Sequence, residues 1–251
     1  SRLALRLRSI RAVFVMLAVG ASMCWLACAP PPEPRLPKPE SMPHHVRVVW
    51  TESPQTQATI LWSTQASAGA HRVRWDTVSR TETAGYRQIA SSVLDGPYPG
   101  KHRELYCHQV VLSGLQPAST IYFVVEHDGW PTAEYHFDTA PADERGFALL
   151  NGGASRSARP ACQRVTRRLA EIAEEDPTVL ALAHGGDYIY SGTSQKLWLM
   201  WLDDYELTIP PSRRLLPILP ARGNHEREGP LFDVVFGKPG GGVGQNWFAT
   251  K

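Results

Sequence analysis

From His44 to Thr139 apolar residues come in short, largely alternating runs separated by turn residues. Val46-Arg47-Val48-Val49-Trp50 is followed by a Ser53-Pro54 turn, then Ala58-Thr59-Ile60-Leu61-Trp62, a Ser/Ala/Gly loop and Arg72-Val73-Arg74-Trp75. Further along stand His108-Gln109-Val110-Val111-Leu112, the Leu115-Gln116-Pro117 turn, Ile121-Tyr122-Phe123-Val124-Val125 and Ala133-Glu134-Tyr135-His136-Phe137. A period of two puts alternate side chains on one face of a strand. Six or seven such runs with no helical period between them predict a β-sandwich over residues 44–140.

The pattern changes after Ala140-Pro141-Ala142-Asp143, which reads as a linker. Phe147-Ala148-Leu149-Leu150 is a continuous apolar run, the signature of a strand buried on both faces. Val165, Leu169, Ile172 and Ala173 then recur at helical spacing between Pro160 and Asp176-Pro177, residues suited to a first helical turn and a stop. A second apolar run, Thr178 to Ala183, ends at His184-Gly185-Gly186-Asp187, and a second helix is predicted from Ser194 to Tyr205 with Trp198, Trp201, Leu202 and Tyr205 on its core face. Leu215 to Leu219 returns as a third strand, completing a βαβαβ unit.

Ahead of both segments, four arginines (2, 6, 8 and 11) precede an apolar run from Ala12 to Ala27. A basic region followed by a short apolar one is a secretory signal, assigned to residues 1–27. It ends Trp25-Leu26-Ala27-Cys28, which resembles a bacterial lipoprotein box with Cys28 as the lipidated residue; plain cleavage nearby is the alternative. Seven prolines between residues 29 and 43 make 28–43 an extended linker. The expected location is outside the cytoplasm, as a membrane-anchored lipoprotein or a secreted protein. Removing residues 1–27 takes four of the 26 basic residues and none of the 24 acidic ones, leaving a net charge of −2, so nothing points to a nucleic-acid partner. Of the four cysteines, Cys107 and Cys162 remain after the lipobox: a disulfide is permitted outside the cytoplasm, and two separately buried thiols are the other reading.

Candidate chemistry sits at the ends of the second and third strands of the later segment. An aspartate placed by a glycine pair after a buried strand, Asp187, lies where open α/β sheets carry their ligands. The third strand runs into Gly223-Asn224-His225-Glu226. Oxygen and nitrogen donors from two strand ends can converge on a hard or borderline metal. Seven histidines of the β-region receive no role, and His184 is read as structural. Ser155 and Arg156, in the loop after the first strand, are either phosphate contacts or surface residues.

Gly186-Asp187-Tyr188-Ile189-Tyr190 followed 37 positions later by the Gly223–Glu226 motif resembles the purple acid phosphatases, within the calcineurin-like metallophosphoesterases. The segments "ATILWST", "LSGLQPASTIYFVV" and "FDTAPAD" resemble a fibronectin type III-like module, which large purple acid phosphatases carry before the catalytic domain. The resemblance implies two domains: a β-sandwich at 44–140, and at 146–251 the first half of an α/β metallophosphoesterase domain, incomplete because the family's VxxH and GHxH motifs do not follow before Lys251. It implies a dinuclear centre of iron with zinc, manganese or iron, in which Asp187 bridges, Tyr190 binds ferric iron, Asn224 binds the second metal and His225 serves the leaving group. Metal-bound hydroxide would then attack a phosphate ester. One departure stands out. The family's aspartate after the first strand is missing, and Asn151 is the nearest replacement, a weaker ligand for a trivalent ion. Three functions stay open: a phosphomonoesterase, a catalytically impaired relative that binds ligands, and a phosphodiesterase or nucleotide hydrolase.

Overall fold

The computed structural model describes residues 42–65, 69–80, 85–101, 105–226 and 229–237. The signal segment, Cys28, His102 and the glycine-rich stretch after Gly237 lie outside the described residues.

Among the described residues twelve strands and three α-helices follow in chain order. Strands β1 (His44–Val49), β2 (Gln57–Thr64), β3 (His71–Asp76), β4 (Gln88–Ser91), β5 (Leu94–Pro97), β6 (Tyr106–Ser113), β7 (Thr120–His127), β8 (Trp130–Pro131) and β9 (Tyr135–Asp138) build the sandwich. Then come β10 (Ala148–Gly152), α1 (Arg159–Glu175), β11 (Val179–His184), α2 (Gln195–Tyr205), β12 (Ile218–Pro220) and α3 (Pro230–Phe236). Alternation explains the sandwich interior. Val46 and Val48 of β1, Ile60 and Trp62 of β2, Val110 and Leu112 of β6, and Ile121, Phe123 and Val125 of β7 all enter one apolar cluster. On the outer face of β3 and β7, by contrast, Arg72 and Arg74 flank Glu126.

The two segments share a sheet. Its order is β10-β11-β12-β1-β2-β6-β5, because β12 pairs in parallel with β1 through Val49 and Ile218. The second sheet runs β4-β3-β7-β8, with β9 also on β7. Residues 213–215 extend this second sheet as well, since Leu215 N–H donates to the His136 carbonyl (2.7 Å) and Arg213 accepts from His136 N–H (3.2 Å). Ala140, read as linker, is buried against the sandwich core. The result is three layers: the five-stranded sheet, the seven-stranded sheet, and the helices on the latter's other face.

That third layer explains why β1 and β2 are buried on both sides. Leu61, Val49, Leu182 and Ile218 face Trp198, Leu202, Leu231, Phe232 and Phe236 of α2 and α3. α1 carries Pro160 in its first turn, and Ser194 caps α2 by accepting from Leu197 N–H. No helix among the described residues is long and apolar enough to cross a membrane.

Two buried arginines join the layers. Arg214 donates to the carbonyls of Ala173 (2.8 Å) and Asp176 (3.2 Å) at the end of α1, to Pro177 and Val179 beyond it, and pairs with Asp138 of β9 (2.9 Å). The Ala173 carbonyl, in the last turn of α1, is one of those that a helix C-terminus leaves without an intrahelical partner. Arg47, fully buried in β1, donates to the Val235 carbonyl of α3 (2.7 Å) and its own sheet's His45 carbonyl (2.8 Å), with Tyr98 and Cys107 beside it. Beside Arg47, His45 bridges α2 to β2, with Nε2 2.8 Å from Asp203 and Nδ1 3.1 Å from Ser63. This Asp–His–Ser line resembles a catalytic triad, but Ser63 is wholly buried and no substrate can reach it.

Replacing Arg47 by methionine keeps the volume and strands two buried carbonyls. Urea unfolding is expected to show a loss of about 3 kcal/mol. A change within about 0.5 kcal/mol, as for an ordinary surface residue, would refute this role.

Candidate functional site

The parallel strands β10, β11 and β12 end on the same side, and the loops that follow them meet there. Backbone conformation brings them together. Gly186 (φ 93°) and Asp187 (φ 59°) are both left-handed, a geometry open to glycine and tolerated by aspartate. A Cβ on Gly186 would collide with the Gly223 backbone, and one on Gly223 with the Asp187 carboxylate, so glycines are required where the two loops touch.

Glu226 fastens the contact. Its side chain is completely buried and accepts N–H groups from Gly223 (2.7 Å), Asp187 (2.8 Å) and Tyr188 (2.8 Å), with Ile189 N at 3.5 Å. A buried carboxylate is costly to desolvate unless its lone pairs are filled; here backbone amides of both loops fill them. The pinned Asp187 accepts His225 N–H on Oδ1 (3.3 Å) and Arg156 Nη1–H on Oδ2 (2.8 Å). His225 donates Nδ1–H to the Tyr190 carbonyl (2.7 Å), because a carbonyl can only accept, which in the neutral ring leaves Nε2 unprotonated.

Of the residues singled out in the sequence, Asp187, Asn224 and His225 share this loop cluster. Asn224 is exposed in the turn between Gly223 and His225, and the Tyr190 ring is 70% exposed with its centre 5.3 Å from that of His225. Asn151 sits elsewhere. It lies inside β10 opposite Ala183 and lines a cavity of about 270 Å³ with Val165, Leu169 and Trp201. The loop after β10 reaches the Asp187 loop three residues later, where Ala154 N–H donates to the Gly186 carbonyl (2.9 Å) and offers only a methyl group. Arg156, given no firm role by sequence, is the residue from this loop that meets Asp187. Its distance in sequence from any motif left no signal beyond its charge.

His184 and Ser155 resemble a nucleophile and its base, with Nε2 and Oγ 3.1 Å apart. The tautomer excludes that chemistry. His184 Nδ1 accepts from Gly186 N–H (3.2 Å), so the proton is on Nε2 and is donated to Ser155. Ser155 Oγ also accepts from Trp201 Nε1–H (3.1 Å), and its own hydrogen points to the Tyr188 carbonyl (3.4 Å). Burial pushes His184 down to about 4, partly offset by Asp187. Stacked 3.8 Å from the Tyr188 ring, it is a neutral strut. Trp198 and Trp201 are core residues of α2, while Cys107 and Cys162 are not joined in a disulfide.

Among the described residues no three His, Cys, Asp or Glu side chains converge as metal ligands. One carboxylate, a carboxamide and a phenol at the loop cluster suit a single hard cation, and the guanidinium on Asp187 already shows that a positive charge is accepted there. The several anionic ligands of a two-metal centre are not present among them.

Residues 43–139 match the family described as "Purple acid Phosphatase, N-terminal domain". Among solved structures, a purple acid phosphatase from yellow lupin (Lupinus luteus) seeds superposes with a TM-score of 0.59 at 18% identity, over 76% of this chain and 36% of that one. PhoD gives a TM-score of 0.49 at 13% identity, over 77% of this chain and 41% of that one. The chain therefore spans little more than a third of the lupin enzyme's length. No curated protein sequence matches. The fold is purple acid phosphatase-like, with the N-terminal domain of that family.

A stability prediction follows from the two buried histidines. His45 is pushed down to about 4, by burial first and by His44 and Arg47 next, against the pull of Asp203; His184 is similarly depressed. The folded state thus binds these protons less readily than the unfolded chain. Their contribution is complete above pH about 6.5, falls as pH drops toward about 4, and amounts to roughly 3 kcal/mol per histidine at most. Urea midpoints measured between pH 7 and 4 are expected to fall, and to fall less steeply in His184→Gln. Equal slopes for the two proteins would contradict this.

Proposed function

We propose that the chain belongs to a metal-dependent phosphoric ester hydrolase that handles its substrate at the loops after β10, β11 and β12. The observation that carries this reading is the Glu226 staple, which holds Asp187 against the Asn224–His225 turn in a purple acid phosphatase-like fold. Asp187, Asn224 and Tyr190 would hold a cation, which would supply Lewis-acid polarisation of the phosphate. His225 is oriented by the Tyr190 carbonyl so that Nε2 can meet the leaving oxygen, and its imidazolium form would carry the transferable proton on that atom. Tyr188, His184 and Trp201 pack beneath the loops and keep Asp187 at a fixed height.

A second reading, a relative that binds phosphate esters without hydrolysing them, is favoured by one feature: the carboxylate is engaged by Arg156 and the loop after β10 offers Ala154 at its contact. We further propose an extracytoplasmic protein held at a membrane through Cys28.

Elemental analysis and hydrolysis of p-nitrophenyl phosphate test the first reading on the full-length protein, beside Asp187→Ala. Bound metal and turnover, with turnover reduced at least about a hundredfold in the variant, are expected. Phosphate binding without metal or turnover would support the second reading instead.

A further inference from the structure

The Arg156–Asp187 pair does more than fill a gap between loops. Asp187 is already positioned by backbone contacts through Glu226 and Gly223, so its fixation does not need Arg156. Arg156 is 30% exposed and Asp187 19%, at the mouth of the site. Only Nη1 of the guanidinium is engaged, and its Nε–H and Nη2–H groups have no partner among the described residues. It borders a narrow crevice with Ser157, Tyr190 and Met200, and the Tyr190 ring centre is 5.3 Å from that of His225. Its neighbour Arg159 is different: both sides of its fork are committed to Asp204 at 2.8–3.1 Å.

Two cations cannot share Asp187 Oδ2 without strong repulsion. A metal ion arriving there must displace the guanidinium, and the guanidinium needs another anion. A phosphate group suits it, since a planar fork matches two phosphate oxygens and bonds between charged partners are the stronger kind.

We propose that Arg156 is an exchangeable internal cation. It occupies Asp187 while the site is empty and swings to the phosphate group of an arriving ester, releasing the carboxylate for the metal. Oxyanion and cation then bind with positive coupling, and the coupling is reciprocal. The inference rests on the metal-dependent reading above and adds an order to it, phosphate promoting metal binding. It assigns Arg156 a positioning role and a direct contact with the phosphate.

Manganese(II) binding to the intact protein, followed by electron paramagnetic resonance with and without saturating inorganic phosphate, tests it without reference to turnover. In the wild type, phosphate is expected to tighten manganese binding about tenfold, within the usual range of such couplings. Arg156→Gln should bind manganese more tightly than wild type when phosphate is absent, and phosphate should no longer help. Arg156→Lys keeps the charge without the fork and should retain the weaker binding without phosphate. Asp187→Asn should lose the site in both conditions. Manganese binding that ignores phosphate, or a phosphate effect that survives in Arg156→Gln, would overturn the exchange while leaving the metal-dependent reading intact. No manganese binding in wild type or Arg156→Gln, with or without phosphate, would overturn both.

Discussion

The functional end of this protein depends on a single buried carboxylate. Glu226 carries a charge that water would solvate far better than a protein interior. It is tolerated because backbone amides from two loops, 38 positions apart at Tyr188, converge on its oxygens. The arrangement resembles the way a helix N-cap gathers orphan N–H groups, except that the donors come from two strand ends. Glycines at 186 and 223 then follow as a requirement, because any side chain there would separate the loops. Asp187, His225 and Asn224 inherit their places from this contact.

Beneath the loops, the α/β segment is built onto the sandwich rather than tethered to it. One sheet runs through both, and the face of β1 and β2 away from the sandwich core is covered by α2 and α3. Arg47 and Arg214 bring positive charge into this junction and spend it on carbonyls at the ends of α3 and α1. Removing the helix layer would expose apolar surface on the shared sheet and leave these groups unpaired. Motion between the two segments is therefore not a natural mode for this fold; freedom is concentrated in side chains at the mouth, the exposed Tyr190 and Asn224 and the partly exposed Arg156.

Much of this was readable along the chain, and the exceptions have physical reasons. Short apolar runs between turn residues marked β7 and β9, and apolar spacing with Pro160, Asp176 and Ser194 marked α1 and α2. β4, β5 and β8 escaped notice because Gln88–Ser91 is mostly exposed, Leu94–Pro97 carries a proline and a glycine, and Trp130–Pro131 is only two residues long. The pairing of Val49 with Ile218 is a contact across 169 positions, which no local period encodes. Its trace was compositional: Ile60-Leu61-Trp62 is apolar on both faces, as a covered strand must be. At the site, the motif residues were legible but not their neighbours. Asn151 drew attention by its chemistry, yet the backbone carries Ala154 and Arg156 to the meeting point. Four histidines left without a role, His45, His71, His108 and His127, prove buried. His71 stacks between His108 and His127 at 3.6 and 4.6 Å, an arrangement that depends on three separate strands.

The central claim, that Glu226 holds the two loops in one arrangement, is tested most directly by amide hydrogen exchange at Asp187, Tyr188 and Gly223 in wild type and Glu226→Gln. The account predicts protection of all three in wild type. In the variant, whose amide offers one acceptor oxygen in place of two, protection should fall together at all three by about tenfold or more, equivalent to about 1.4 kcal/mol. Exchange at these amides that is already fast in wild type, or unchanged by the substitution, would contradict it.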